Sequence, residues 1–577
     1  MKKINNKLRV LHMMNGTKRS VVRKAFDACR GAFISTGIFS FFTNILMLTG
    51  SMYMLQVYDR VLASGSIPTL VALTVLVVIL FMFMGVLEYI RTRVLVRVGL
   101  RLDEQLGSIT FDAVQMHAIK RTPNVGAQPV RDLDGIRQFV SGPGPLAFFD
   151  TPWMPVYLAF IFMLHPMLGY FAIFAGIVLF IFAILNDVVT KKPAAKANET
   201  TMISNALTEE SRRNAEVIGA MGMQNAIRAR WQKLHADALT DSTHVNDRAG
   251  SIAAFSKVMR MMFQSGMLGL GAYLAVLQEI SPGTMIAGTI ILSRALAPIE
   301  QAIGQWRPFL AARKSYARLK LVLDDAPIRE QPMELPQPKG RILAENILVN
   351  IPTVEQPLLQ GINFKLESGE AVGVLGPSGA GKSTLARVLV GVWPPTRGGV
   401  RLDDALLEQW NDTQLGKFIG YLPQTVELFS ATIEENISRF EPEASPEAVV
   451  EAAKMANVHE MILRLPEGYG TQIGDGGSAL SAGQRQRIGL ARAMYGNPVF
   501  VVLDEPNSNL DAEGEAAVIH AINKMKETGT SIVVIAHRPS AIAAVDKILF
   551  IKDGVQLAFG PRQEVLDKIL QPPAVRG

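Results

Sequence analysis

Six apolar runs between residues 33 and 305 constrain the fold more than any other feature of the chain. They lie at Phe33–Tyr58, Ile67–Val86, Leu146–Leu164, Met167–Leu185, Ile252–Leu277 and Met285–Gln305. Each supplies roughly 20 residues at helical rise, enough for about 30 Å of hydrocarbon. The expectation is six transmembrane helices. The third run contains Pro152 and Pro155, and the fifth carries Lys257 and Arg260. Proline is tolerated in a membrane helix where neighbours re-satisfy the freed carbonyls. The composition agrees with this reading. At 49% hydrophobic and 19% charged residues, the chain is too apolar for an ordinary soluble protein.

Loop charge sets the orientation. Arg91, Arg93, Arg97 and Arg101 follow the second run, and the basic segment MKKINNKLRVLHMMNGTKRSVVRK precedes the first. The loops VLASGS, LHP and QEISPG are short and nearly uncharged. The positive-inside rule therefore puts both termini in the cytoplasm. The long segments 91–144 and 188–250 fall on the same side, with spacing that suits helices continuing out of the membrane. The net charge of +7 belongs to these flanks rather than to a nucleic-acid partner. The N-terminus lacks an apolar core and a small-residue cleavage site before Phe33, so it does not read as a cleaved signal peptide. The one cysteine, Cys29, allows no intrachain disulfide and reads as a small buried side chain. Arg294 interrupts the apolar stretch IAGTIILSRALAP; it either lines a cavity or snorkels to the interface.

After a proline- and charge-rich linker at 325–340, the pattern changes to short buried strands. AVGVL runs into GPSGAGKST, a G-x-x-x-x-G-K-[ST] phosphate loop with Gly376, Gly381, Lys382 and Ser383 at the defining positions. Its glycines, with Ser378, Gly379 and Thr384, let backbone N–H groups close around phosphate; Lys382 reaches the β/γ oxygens and Ser383 ligates Mg²⁺. VFVVL ends in Asp504 and Glu505, where an α/β sheet places its chemistry. Asp504 suits Mg²⁺ binding, and Glu505 suits activation of the attacking water. SIVVI leads to His537, expected at the γ-phosphate. Between them, LSAGQ opens a helix with Ser481, Gly483 and Gln484, a second anion site by its form.

In this order, with YLPQ (Gln424), NSNLD (Asp511) and IAHRP, residues 341–566 resemble an ABC-transporter ATPase domain. The resemblance implies that Gln424 senses the γ-phosphate and joins Ser383 and Asp504 around Mg²⁺. It places Asp511 at a dimer seam, and it has Ser481, Gly483 and Gln484 meet the ATP held by the other protomer. One ATPase domain and six spans then make half a transporter, expected as a homodimer. Ala482 departs from the usual glycine pair, and Ile351 is all that stands near the usual adenine-stacking aromatic. The stretches YMLQVYDRVLASGSIPTL, RDLDGIRQFVSGPGPLAFFDTPWMPVY, RRNAEVIGAMGM and GVWPP are similar to bacterial type I secretion exporters of the protease/lipase type. That implies ATP-driven export of unfolded proteins carrying a C-terminal signal, across the inner membrane, with a periplasmic membrane-fusion adaptor and an outer-membrane channel as partners. A half-transporter for lipid or drug is the rival, and these stretches discriminate against it. The peptidase-like domain that precedes the first span in some relatives is expected to be absent. The expected fold is membrane α-helical, with six transmembrane helices of ABC exporter type (33–324), plus a cytoplasmic α/β P-loop ATPase domain (341–566). An N-terminal segment (1–32) and a tail (567–577) flank them.

Overall fold

The structure, a computed structural model, describes residues 20–119, 126–325, 334–350, 356–477, 479–508, 510–536 and 542–570. The chain divides into two compact units, with the boundary between Pro327 and Ile328.

The first unit is helical. Its main elements are α1 (Arg30–Leu46), α2 (Ile67–Ile119), α3 (Gln128–Ser141), α4 (Met154–Leu164), α5 (Pro166–Arg213), α6 (Ala215–Ala220), α7 (Gln224–Val276) and α8 (Pro282–Asp325). With 53 residues, α2 is about 80 Å long at helical rise, far more than a bilayer needs. α5, α7 and α8 are comparably long. The expectation of helices that continue well past their apolar runs is met.

Five helical stretches are long and apolar enough to cross a bilayer: 30–64, 67–119, 144–164, 166–213 and 282–325. α7 is not among them, although Ile252–Leu277 is expected to span. It packs along α5 and α8 instead of facing lipid all round. Its Arg260 pairs with Glu300 of α8 at 2.9 Å, so the charge that lowers its apolarity has a partner within the bundle. The third run is not one helix either. Gly144–Asp150 gives way to a 3₁₀ turn at Thr151–Trp153 before α4, because Pro152 and Pro155 cannot donate to the preceding turn.

Small residues let the helices approach. Ala172 and Ala175 of α5 are fully buried beside Tyr157, Ile161, Leu292 and Ala295. A Cβ on Gly169 would stand 2.5 Å from the ring of Phe162. The helix Val21–Ala28, assigned by sequence to a separate N-terminal segment, puts Val22 and Ala25 into a second core with Cys29, Leu102, Leu106, Ile136 and Leu319.

Two buried carboxylates organise this unit. Asp150 accepts from Arg91 and from Asn44, each at 2.8 Å, and Tyr157 closes the network by donating to Asn44. Asp132 of α3 accepts from Ser315 and Arg318 of α8, the former at 2.9 Å. Both acids lie in the stretch 131–157, which carries much of the family resemblance.

The second unit contains β1 (Ile342–Val349), β2 (Leu359–Leu366), β3 (Ala371–Leu375), α9 (Lys382–Leu389), β4 (Arg397–Leu402), β5 (Ala405–Leu406), β6 (Ile419–Leu422), α10 (Ala482–Met494), β7 (Phe500–Asp504), α11 (Ala512–Glu527), β8 (Ser531–Ile535), β9 (Lys547–Lys552) and β10 (Val555–Pro561). The ten strands follow the order β5-β4-β1-β2-β10-β9-β3-β8-β7-β6. Neighbours from β9 to β6 are parallel, and β1, β2, β4 and β5 pair antiparallel. The parallel strands bury both faces, as their unbroken apolar sequences require. Phe500, Val502, Val533 and Ile535 enter one core; Val501, Leu503, Ile532 and Val534 enter the other. A last helix, Arg562–Leu570, runs past residue 566.

Candidate functional site

Register brings the predicted residues together. Val374 of β3 lies beside Ile535 of β8, Ile535 beside Asp504 of β7, and Leu503 beside Leu422 of β6. The carboxyl ends of four parallel strands thus lie level along one edge of the sheet. The consecutive strands β8 and β9 lie on opposite sides of β3, so the edge includes a topological switch point, where open α/β sheets bind ligands.

The loop after β3 bends at positive φ: Gly376 at 158°, Gly379 at 82° and Gly381 at 91°. A Cβ on Gly376 would stand 2.0 Å from the Ile551 carbonyl, and one on Gly381 would stand 2.8 Å from that of Leu358. Glycine is required at both. Ser378 and Gly379 are exposed at the crest, and Thr384 is buried under it. Gly381 caps α9, so the helix's N-terminal N–H groups and dipole are directed at the loop. Lys382 donates to the carbonyls of Gly376 at 2.9 Å and Pro377 at 2.8 Å, which centres its ammonium in the loop. Burial pushes that ammonium below its ordinary pKa, and the charges of Glu505 and Asp504 oppose the shift.

Asp504 ends β7 at 1% exposure. Burial pushes its carboxyl up; a hydrogen bond from Ser383 opposes that, and the neighbouring Glu505 charge adds to it. Its Oδ1 is buried with no hydrogen-bond partner among the described residues. A buried carboxylate oxygen left open beside a hydroxyl suits a hard divalent cation. Among the described residues no three His, Cys, Asp or Glu side chains cluster as a metal cage. A cation here would take Asp504 and Ser383, with phosphate oxygens and water completing the shell. Glu505 follows at φ 52°, a backbone conformation that costs a non-glycine residue about 1–3 kcal/mol. Gln424 is exposed two residues beyond β6, on the same edge.

The LSAGQ turn opens α10 with a reciprocal capping box. The Ser481 hydroxyl accepts from the Gln484 amide at 3.2 Å, and the Gln484 side chain accepts from the Ser481 N–H at 2.8 Å. Ser481 is exposed and Gly483 half-buried, so the helix N-terminus faces outward from its own unit. Asp511 caps α11 by accepting from Gly514 at 2.9 Å. His537 and Ile351 lie outside the described residues.

Sequence reasoning missed Gln486. It is 2% exposed, and its amide donates to the carbonyls of Glu505 and Pro506 at 3.2 Å each. The signal was present. Gln486, Gly489, Leu490 and Ala493 share a buried helical face, and a polar residue there must find partners. Arg439 was also missed. Its guanidinium donates to the backbone carbonyls of Gly416, Ile419, Arg492 and Ala493.

A phosphate loop, a magnesium-type carboxylate and an adjacent glutamate on one sheet edge define an ATP-hydrolysing domain, here in one chain with a multi-pass helical membrane unit. The comparisons narrow this class. Residues 359–508 match the ABC transporter model, and residues 33–297 match the ABC transporter transmembrane region. The type I secretion system ATP-binding protein PrsD of Rhizobium meliloti (strain 1021) is 48% identical over 96% of this chain and 95% of its own length. The leukotoxin translocation ATP-binding protein LktB of Mannheimia glucosida is 30% identical over 93% of this chain and 76% of its own. The toxin RTX-I translocation ATP-binding protein of Actinobacillus pleuropneumoniae is 29% identical over the same shares. A solved bacterial Atm1-family ABC exporter with ATP bound shares the fold, with a TM-score of 0.80 at 21% identity over 94% of this chain and 96% of that one. The chain belongs to the ABC transporters, among the ATP-binding proteins of type I secretion systems, and it couples ATP hydrolysis to protein export.

Proposed function

We propose that two copies of this chain form the energised component of a type I secretion system in a bacterial inner membrane. The ATPase units lie in the cytoplasm, as the charge of the loops indicates. The cargo is an unfolded protein with a C-terminal signal, passed to a periplasmic membrane-fusion adaptor and an outer-membrane channel.

In this reading the loop 376–384 holds the ATP phosphates through backbone N–H groups, and Lys382 supplies the positive charge. Ser383 and Asp504 hold Mg²⁺, with Gln424 reaching the same region. A Mg²⁺ ion held there by Ser383 and Asp504 would offset the negative charge of the phosphates during transfer. Glu505 orients the attacking water and accepts its proton, and His537 contacts the γ-phosphate. The outward N-terminus of α10, with Ser481, Gly483 and Gln484, meets the ATP of the second protomer. Asp511 lies at that seam. This answers why one domain has two anion sites: each serves a different nucleotide. The two-fold assembly has an isologous interface.

The observation that carries the reading is the levelled strand edge, which sets Lys382, Ser383, Asp504 and Glu505 around one point. Purified protein tests it. Glu505→Gln should bind ATP normally and lose at least about 100-fold in kcat, since a positioned base contributes roughly 10²–10⁴. Lys382→Ala should lose ATP binding itself, and EDTA should abolish turnover by the wild type. Wild-type turnover by Glu505→Gln would remove Glu505 from the mechanism.

A further inference from the structure

Glu505 combines two features that conflict. It is proposed as the general base, which demands a fixed carboxylate, yet its backbone is at φ 52°, a strained conformation that persists only where the surroundings hold it. Pro506 follows it and restricts it further. Something must hold both sides of this residue. Its N–H donates to the Ile535 carbonyl of β8 at 2.9 Å. Its carbonyl, with that of Pro506, accepts from the Gln486 amide.

We infer that Gln486 is a positioning residue for hydrolysis: its amide locks the Glu505–Pro506 backbone and so aims the Glu505 carboxylate. The inference rests on the reading of Glu505 as the base. The geometry is economical. A primary amide has two N–H donors, and here one side chain reaches two successive carbonyls. The side chain is buried, so water does not compete for either bond. Gln486 stands on α10, whose first turn is fixed by the Ser481–Gln484 box. The contact therefore ties the catalytic carboxylate to the same rigid helix that presents the LSAGQ turn. An apolar residue of equal length would fill the space without making either bond.

The test uses the full-length protein in lipid nanodiscs, with ATP turnover and ATP affinity measured together. Gln486→Met keeps length and volume but loses the donors. Its kcat should fall roughly tenfold or more, with the KM for ATP within about twofold of wild type, the split expected when an interaction made for the transition state is lost. Wild-type kcat, or a raised KM with unchanged kcat, overturns the inference. Gln486→Glu is nearly isosteric and guards against misfolding of the first variant. Its ionised carboxylate cannot donate, but the protonated acid can. Its kcat relative to wild type should therefore rise as the pH falls from about 8 to about 6, a range that burial makes accessible to a carboxyl. A ratio that stays flat or falls overturns the inference as well. Glu505→Gln in the same assay separates the two claims. If it turns over normally, the assignment of the base is at fault. If it is inactive while Gln486→Met is fully active, only the role of Gln486 is lost.

Discussion

At the scale of the residue, two adjacent carboxylates differ in burial: Asp504 is buried and Glu505 half-buried. Asp504 is held under the phosphate loop, where burial disfavours its charge. Its folded pKa is raised, so its linkage runs against stability. The folded state binds the proton more tightly, and stability is lost as the pH rises from the ordinary carboxylate value through the raised one. At neutral pH the metal-free protein bears that cost. Asp504→Asn should therefore raise the thermal midpoint of nucleotide- and metal-free protein, by about 2–4 °C for each kcal/mol relieved, while abolishing hydrolysis. Differential scanning measurements check this, and a lowered midpoint would contradict the account of Asp504. Residues of this kind were legible in the sequence, because their chemistry is local: a glycine at positive φ, a lysine and a serine at fixed spacing, an acid ending an apolar strand. Gln486 was not, because its role depends on a carbonyl 19 residues away. Only its place on a buried helical face hinted at it.

At the scale of the element, apolar run length identified the membrane helices but not their continuity. Pro152 interrupts the third run, and on α7 the charge of Arg260 is paired with Glu300 of α8. The strands β3, β7 and β8 were readable as short apolar runs, since both faces are buried. The stretch 131–157 was opaque to periodicity. Nothing in the local spacing marks Asp132 and Asp150, because their partners lie on other helices, at Arg318 and Arg91. The Arg91 network makes a direct prediction. Arg91→Met leaves Asp150 with its charge buried and partly unpaired, which costs about 3–5 kcal/mol. The variant should accumulate poorly and unfold at lower temperature, and adding Asp150→Asn should recover part of the loss. Thermal unfolding of the purified variants checks this; no recovery in the double variant would mean the two residues are not coupled.

At the scale of the molecule, an ATPase unit and a multi-pass membrane unit share one chain, and the family relationship makes them one protein exporter. In the proposed mechanism the Glu505 carboxylate couples the two, so Glu505→Gln is expected to stop the cycle without removing the protein from the membrane. The most direct measurement compares the culture media of two strains by mass spectrometry, one with the intact chain and one with Glu505→Gln at equal abundance. The account predicts that a small set of proteins disappears from the mutant's medium and accumulates inside its cells. Identical media under conditions where the gene is expressed would contradict protein export as the work of this ATPase.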